Sequence, residues 1–300
     1  MDLASHVTYL GGACRRPEIV ARCGRSAVDR ALRSGTLVRV ARGIYALATA
    51  SDAVKAAATY GGVISMRSAA QRHGWGQRLV PALPDVTFPR THHVPRAARR
   101  SLVPHWSNIA PEDIVAGATS KRRTLVDCMR NLPLEEAVPI VDSAIRAGDI
   151  TSGQLRALAA SMRGRGRARA MAVAAMATSA AANAFESTLR AIASTVPGLA
   201  VEPQRPLRVG PGWVVQPDLV DVTLGIVIEA ESFEWHGKSA ALTRDCVRYN
   251  ALSTLGYLVI RFSWAQVIHQ PTYVVEVLSR AVERARGPAN VARGPTDAVA

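Results

Sequence analysis

The sequence contains little cysteine, few aromatic residues and no long apolar run. Its four cysteines are far apart, which argues against a disulfide framework and against a zinc site with closely spaced ligands. The opening residues "MDLASHVTYLGGACRRPE" lack the basic-then-apolar pattern of a signal peptide, and the alanine-rich run "AMAVAAMATSAAANAF" is broken by polar residues, which favours a helix over a membrane span. These absences predict a cytoplasmic protein that is not inserted in a membrane.

Lysine is also scarce, so the positive charge comes from arginine. Three of the 37 basic residues are lysines, and the formal net charge is +14. Residues 1–199 hold 27 basic and 13 acidic residues, whereas the rest of the chain holds 10 of each. Such a basic body favours a polyanion, most commonly nucleic acid, unless the arginine content is a composition bias. Because the few aromatics form no evident base-stacking platform, RNA is a weaker prediction than DNA.

Three hundred residues suit two or three domains. Composition and turn signals separate the predicted N-terminal domain (1–50), central domain (51–179) and C-terminal domain (180–286). The remaining residues, 287–300, are rich in Gly, Pro and Ala, and we expect this tail to be disordered.

The first fifty residues have the pattern of two short helices followed by a β-hairpin. "GGACRRPEIVARCG" predicts a helix closed by Gly24, and "RSAVDRALRSG" a second helix with Ser26 as its N-cap and Gly35 as its stop. "TLVRVARGIYAL" alternates apolar and basic residues and bends at Gly43, as a hairpin does. This order predicts a winged helix-turn-helix.

Arginine dominates the predicted helix and wing. Residues 15–42 contain eight arginines and two acids. In a winged helix the second helix enters the major groove while the wing follows the phosphate backbone, so phosphate-neutralising side chains are needed on both. The predicted DNA-binding residues are Arg25, Ser26, Arg30, Arg39 and Arg42. A protein-docking module with solvated arginines is the alternative.

This stretch resembles the N-terminal domain of AbiEi-type antitoxins of type IV toxin–antitoxin systems, above all in "RVARGIYAL". The following region resembles the central part of the same proteins through "GGVIS", "SAA", "HG" and "TLVD". The resemblance implies operator binding by a winged helix. It also implies a neighbouring nucleotidyltransferase-like toxin as a partner.

The central domain is predicted to be mainly α-helical. "GGVISMRSAAQRHGWG" predicts a helix capped near Ser65 or Ser68, and "PDVTFPR" a short strand. The run from Thr119 to Thr151 has helical spacing that we expect Pro133 and Pro139 to break. The scattered histidines do not have the spacing of a metal site.

The C-terminal domain contains the most informative segment, "VVQPDLVDVTLGIVIEAESFEWHGK". Two β-branched, alternating runs predict a hairpin that turns near Thr223–Leu224. A two-residue turn pairs Val222 with Gly225, and counting outward places Asp218 opposite Glu229. Glu231 lies on the same face as Glu229 because alternate strand residues share a face.

Carboxylates gathered in this way require a compensating charge. Two full charges about 4 Å apart repel by roughly 4 kcal/mol at an effective dielectric constant near 20. The cluster must therefore hold a proton, face water or bind a cation. Oxygen ligands favour Mg²⁺ or Mn²⁺ over zinc. Upstream, "ANAFESTLRAIA" predicts a helix that directs Glu186 to the same place.

The order of these elements resembles the PD-(D/E)xK nuclease superfamily, most closely the branch of very-short-patch-repair endonucleases. The residues that carry the resemblance are Glu186, Pro217, Asp218, Glu229, Glu231, Trp235, His236, Asp245, Arg248, Gly256, Arg261 and Phe262. They span about a hundred residues in the order of the superfamily.

The resemblance implies a catalytic set of Asp218, Glu229, Glu231, Glu186 and His236. Asp218, Glu229 and the carbonyl of Ala230 would hold the metal ion, with Glu186 as a further ligand or as a carboxylate behind the ligands, and His236 as general acid or base. Arg248 and Arg261 either steady phosphate charge or pair with Asp245; we favour pairing.

One residue departs from the superfamily's pattern. The lysine two positions after the metal-binding acid is Glu231 here, and a carboxylate cannot stabilise developing negative charge. Lys238 or His236 would have to supply that charge or proton.

Together these patterns predict a multidomain α+β protein. It would have an N-terminal winged helix-turn-helix, a mainly α central region and a C-terminal α/β restriction-endonuclease-like domain. The predicted function is a Mg²⁺- or Mn²⁺-dependent endonuclease acting on double-stranded DNA. The alternative is a non-catalytic AbiEi-like antitoxin or transcriptional repressor with a degenerate nuclease fold. The oligomeric state is not predicted.

Overall fold

The computed structural model describes residues 2–231 and 239–287, of which 239–242 by their main chain alone. The chain is a mixed α/β protein that divides into two compact units. Unit 1 contains residues 2–75 and 80–131, and unit 2 contains residues 76–79 and 132–287. The division after Asn131 falls inside the predicted central domain, which both units therefore share. No helix within the described ranges combines the length and apolar character needed to cross a bilayer.

Unit 1 begins with three helices and a three-stranded antiparallel sheet. The elements are α1 (Leu3–Tyr9), β1 (Ala13–Arg15), α2 (Arg16–Cys23), α3 (Arg25–Arg33), β2 (Leu37–Ala41) and β3 (Ile44–Leu47). Strand β3 lies between β1 and β2. Ile19, Val28 and Leu37 bring α2, α3 and the sheet into one buried core, which fixes the two helices against the hairpin.

The structure corrects the predicted start of the second helix. Gly24 ends α2 and is also the N-cap of α3, with φ +79°, a left-handed conformation that glycine adopts without strain. Because a single residue separates the two helices, α3 begins at Arg25 and Ser26 lies inside its first turn. Ser26 is therefore not the N-cap. The helix ends at Arg33, two residues before Gly35.

The rest of unit 1 carries more strand than the sequence indicated. Its elements are α4 (Asp52–Tyr60), β4 (Val63–Ile64), α5 (Met66–Arg72), β5 (Asp85–Phe88), β6 (Val103–Trp106), β7 (Ile114–Val115), β8 (Ala118–Thr119) and α6 (Lys121–Asn131). The strands form a five-stranded mixed sheet in the order β6-β5-β4-β8-β7. Helix still exceeds strand in the predicted mainly α central region, but the five-stranded sheet within it was not predicted. Strand β5 and the N-cap at Ser65 are confirmed.

Unit 2 opens with helices and continues into a four-stranded sheet. Its elements are α7 (Leu134–Arg146), α8 (Ser152–Ser161), α9 (Arg167–Met176), α10 (Ala184–Ala193), β9 (Glu202–Pro203), β10 (Leu207–Gly210), β11 (Trp213–Val215), β12 (Leu219–Asp221), β13 (Ile226–Glu231), α11 (Ser239–Thr254), β14 (Leu258–Ser263), α12 (Trp264–His269) and α13 (Pro271–Arg286). Pro133 precedes α7 as predicted, but Pro139 lies inside α7 and does not break it. Its neighbours Val138 and Ile140 are fully buried, so packing outweighs the hydrogen bond that proline cannot make.

The sheet of unit 2 has the order β14-β13-β12-β9. Strands β12 and β13 are antiparallel, and β13 and β14 are parallel, joined through α11. Leu219, Ile226 and Ile228 belong to one buried cluster, with residues of α10, α12 and α13. Val220 and Val227 belong to another, with Leu252 of α11. The sheet is thus covered on both faces.

Candidate active site

The hairpin β12–β13 has the register counted from the sequence. Leu219 pairs with Ile228 and Asp221 with Ile226, so the next position outward sets Asp218 opposite Glu229. Each carboxylate lies next to a main-chain N–H group of the opposite strand. The Ala230 N–H donates to Asp218 Oδ2 at 2.8 Å, and the Asp218 N–H lies 3.5 Å from Glu229 Oε2. The predicted pairing of the two acids is therefore present at the open end of the hairpin.

Helix α10 adds a third carboxylate. Asn183 caps the helix by accepting a hydrogen bond from the Glu186 N–H, and its own side-chain amide donates back to Glu186 Oε1 at 2.9 Å. The Ala182 N–H and the Gln204 side-chain amide both donate to Glu186 Oε2. Glu186 is therefore a buried carboxylate whose two oxygens both accept hydrogen bonds.

A buried ion pair holds α10 in place. Arg190 of α10 donates to Asp142 of α7 at 2.6 Å, and both side chains are almost fully enclosed. The Thr178 N–H donates to the other oxygen of Asp142 at 2.9 Å. Removing one partner would leave the other charge buried and unpaired, so the pair fixes the helix that carries Glu186.

The acids line one cavity of about 380 Å³ in unit 2. Its lining residues come from α10, β13, α11 and the segment before β12: Asn183, Phe185, Glu186, Asp218, Glu229, Ala230, Glu231, Arg244, Asp245, Arg248 and Tyr249. The cavity therefore gathers four of the predicted catalytic residues and all three predicted metal ligands.

Burial makes these carboxyls unusually weak acids. Burial and the neighbouring Asp218 carboxylate raise the pKa of Glu229 to about 8, although the Arg248 guanidinium opposes the shift. Burial also raises the pKa of Asp218, and burial with the charge of Asp218 raises the pKa of Glu186. At neutral pH the metal-free chain thus keeps a proton on Glu229. This proton reduces the electrostatic repulsion between the carboxylates.

Glu229 also carries an unused ligand atom. The residue is 2% exposed, and its Oε1 is buried without a hydrogen-bond partner among the described residues. A hard cation would satisfy this oxygen and replace the proton. Across residues 2–231 and 239–287, no three Asp, Glu, His or Cys side chains stand at metal-ligand geometry. A metal ion in this cavity would therefore have to be held by fewer than three such side chains of the described residues.

Glu231 has a different environment from the other acids. It accepts hydrogen bonds from the Tyr249 hydroxyl and from Arg261 Nε, the latter at 2.7 Å. Arg248 lies 3.3 Å from Glu229 Oε2 and donates to the Tyr249 hydroxyl at 3.0 Å. Arg248 and Arg261 therefore pair with Glu229 and Glu231, and the expectation that they pair with Asp245 is wrong.

The five predicted DNA-binding residues are all exposed. Arg25, Ser26 and Arg30 lie on α3, Arg39 lies on β2, and Arg42 lies in the turn of the hairpin. Arg39 donates to the Ala41 carbonyl of its own hairpin. No ion pair is formed by Arg25, Arg30 or Arg42 with any residue that the structure describes.

Three predicted residues cannot be placed, and two others were missed. Trp235, His236 and Lys238 lie outside the described residues, as does the predicted tail beyond Gly287. Gln204 and Tyr249 join the carboxylates but were not predicted from the sequence. Tyr249 follows Arg248 directly, which was a usable signal, whereas nothing local marks Gln204.

Comparison with known proteins places the chain among uncharacterised relatives. No family model matches it. The uncharacterized proteins Rv2248 and MT2308, from two strains of Mycobacterium tuberculosis, are each 27% identical over 270 residues, covering 87% of this chain and 98% of theirs. The crystal structure of the RV2827C protein of Mycobacterium tuberculosis aligns with 68% of this chain and 86% of its own at 15% identity and a TM-score of 0.33.

Proposed function

We propose that the protein is a divalent-metal-dependent DNA endonuclease whose active site is the carboxylate cavity of unit 2. The observation that carries the proposal is the facing pair of Asp218, which is half-buried, and Glu229, which is buried. The two acids face each other across the hairpin end, the pKa of Glu229 is about 8, and one of its oxygens has no described partner. Burying carboxyl groups in this way lowers the stability of the fold, and such groups are concentrated at functional sites. Binding a cation is the function that suits these carboxylate oxygens.

Asp218, Glu229 and the main chain at Ala230 would hold Mg²⁺ or Mn²⁺. When bound, the ion supplies Lewis-acid polarisation of a scissile phosphate and a lowered pKa for an attacking water. The chain's own contribution is orientation: the Ala230 N–H fixes one oxygen of Asp218, and the capped Glu186 lies behind it. His236 is proposed as the general acid or base.

Positive charge for the phosphate would come from arginine. With Glu231 at the position of the superfamily's lysine, the described cations that line the cavity are Arg244 and Arg248. Arg248 already lies 3.3 Å from Glu229, and its guanidinium presents several N–H donors in a planar fork that suits phosphate oxygens. We assign Arg248 to binding the phosphate beside the metal site.

The proposed substrate is double-stranded DNA, held by the first fifty residues as a winged helix. Helix α3 would enter the major groove and the β2–β3 hairpin would lie along the backbone. Unit 1 holds 19 of the 37 basic residues and 8 of the 23 acidic ones, so it carries most of the net positive charge. This concentration supports phosphate contacts by unit 1.

Incubation of supercoiled plasmid with the protein and Mg²⁺ or Mn²⁺ tests the proposal. Wild type should nick the plasmid, and Asp218→Asn should reduce nicking to background because it removes a ligand charge at unchanged size. Glu202→Gln is the matched control, since Glu202 is exposed and its ion pair among the described residues is with Arg205. Equal nicking by the Asp218 variant would contradict the proposal, as would no nicking by wild type on intact, mismatched or single-stranded DNA.

A non-catalytic AbiEi-like repressor or antitoxin is the second candidate. The observation that favours it is that Glu231 stands at the position of the superfamily's lysine. Its carboxylate accepts hydrogen bonds from Arg261 and Tyr249 and supplies no positive charge. The carboxylate cavity would then belong to a degenerate nuclease fold. This candidate predicts salt-sensitive binding to the protein's own upstream DNA, unchanged by Asp218→Asn, and a nucleotidyltransferase-like toxin as partner.

A further inference from the structure

Gln204 has an unusual main-chain conformation beside the carboxylates. It follows the two-residue strand β9 and has φ +52°, a left-handed value that is unfavourable for a residue with a Cβ atom. Its N–H donates to the Asp218 carbonyl at 3.1 Å, which holds it against the start of β12. Such strained residues persist where the surrounding structure enforces them, and they concentrate at functional sites.

The side chain of Gln204 joins two acids of the cavity. Its Nε2 lies 3.1 Å from Glu186 Oε2 and 3.2 Å from Asp218 Oδ1. One amide nitrogen has two hydrogens, so it can donate one to each carboxylate. The N-cap of α10 already holds the Glu186 carboxylate in place. Through its hydrogen bonds to both acids, Gln204 holds Asp218 in place relative to Glu186.

The choice of glutamine has a physical reason. A lysine or arginine here would neutralise the carboxylates and compete with a cation, and a glutamate would add another negative charge to a buried cluster. An amide supplies two donors without charge, so it orients the carboxylates and leaves their charge for a ligand. Asp218 Oδ2 is held at the same time by the Ala230 N–H, so both oxygens of this proposed ligand are oriented.

We propose that Gln204 is a positioning residue that sets the metal affinity of the site by linking Asp218 to the capped Glu186. This inference rests on the proposed function. The effect on metal affinity is assigned to the side-chain amide of Gln204. The main-chain hydrogen bond from Gln204 to the Asp218 carbonyl does not depend on which side chain is present.

The left-handed conformation allows the two contributions to be separated. Gln204→Gly removes the amide and also relieves the main-chain strain, because glycine adopts positive φ freely. Metal affinity should therefore fall while the melting temperature of the metal-free protein stays equal or rises. Ala116→Gly is the matched control, since Ala116 also has a positive φ, +47°, and belongs to unit 1, whereas the cavity residues belong to unit 2.

The experiment measures Mn²⁺ affinity by calorimetry and melting temperature in EDTA. For Gln204→Gly we expect an affinity about 10- to 100-fold below wild type, the range found when a residue that orients a metal ligand is removed. Ala116→Gly should bind Mn²⁺ like wild type. Wild-type affinity in Gln204→Gly overturns the proposal, and so does an affinity loss accompanied by a lower melting temperature, which indicates a structural role.

A metal-free measurement separates this inference from the proposed function. In nuclear magnetic resonance spectra of the wild-type protein in EDTA, both Nε2 hydrogens of Gln204 should exchange slowly with water, and Asp218→Ala should expose one of them. Rapid exchange of both in wild type overturns the link even if Mn²⁺ binds. Protected hydrogens in a wild-type protein that binds no Mn²⁺ support the link and contradict the nuclease proposal.

Discussion

Glu229 is a buried carboxyl whose ionisation the fold opposes. It is 2% exposed, it lies beside Asp218, and its one nearby described cation is Arg248 at 3.3 Å. Burial first, and the Asp218 charge second, raise its pKa from 4.5 to about 8. Between these pH values the folded chain keeps a proton that the unfolded chain has released. Stability from this group is therefore highest below about pH 4.5 and falls as the pH rises towards 8.

Replacing Glu229 with glutamine should remove this pH dependence. Glutamine mimics the protonated carboxyl, so Glu229→Gln should match wild type near pH 5 and exceed it near pH 9 by on the order of a few kcal/mol in unfolding free energy. Urea unfolding in EDTA at both pH values measures the difference. Glu202→Gln should follow wild type at both. A wild-type protein that is no less stable at pH 9 than Glu229→Gln would show that Glu229 is not destabilised by ionisation.

The sequence was sufficient to predict the pair Asp218 and Glu229. It was insufficient to predict Gln204, which links Asp218 to Glu186. Asp218 and Glu229 are set opposite each other by a turn position and by alternation, both of which are local. Gln204 reaches Asp218 only because β9 pairs with β12, and a two-residue strand that ends in Pro203 has no periodicity to read. The pairing of Glu231 with Arg261 likewise depends on the position of β14 next to β13.

The helix α3 and the β2–β3 hairpin form the element that we assign to DNA. Arg25 and Arg30 are exposed on α3, and the single acid of the helix, Asp29, is paired with Arg16 at 3.4 Å. The pairing offsets negative charge that would otherwise oppose a phosphate backbone. The surface of α3 is therefore positive despite its acid.

Alanine at Arg25 and Arg30 should weaken binding to the protein's own upstream DNA. Each lost phosphate contact should lower the slope of log affinity against log salt by about 0.9, so the double variant should lose about 2. Titrations at several salt concentrations measure the slope. Arg280→Ala, an exposed arginine on α13 of unit 2, is the control. An unchanged slope in the double variant would show that α3 is not the DNA-contacting helix.

At the scale of elements, prediction succeeded where periodicity was long. Helix α10 and strand β5 have clear patterns and form as expected. Strands β4, β7 and β8 have two residues each, which is too short for a pattern, so the five-stranded sheet was missed. Inside α7, buried packing outweighs the helix-breaking tendency of Pro139.

At the scale of the whole molecule, unit 1 carries most of the positive charge and unit 2 contains the carboxylate cavity. Unit 1 holds 19 basic and 8 acidic residues, and unit 2 holds the cavity with Asp218, Glu229 and Glu186. The sequence indicated this separation through its basic first 199 residues. The boundary after Asn131 was not evident, because α6 and α7 read as one helical run that Pro133 and Pro139 were both expected to break, and no signal distinguished Pro133 from Pro139.

Calorimetric titration of the metal-free protein with Mn²⁺ at pH 7 tests the central claim most directly. Wild type should bind a single ion and release close to one proton, because Glu229 with a pKa of about 8 must lose its proton to become a ligand. Buffers of different ionisation enthalpy report that proton. Glu229→Gln should not bind, and Glu202→Gln should bind like wild type. Absence of binding by wild type, or equal binding by Glu229→Gln, would contradict a metal site at the β12–β13 hairpin.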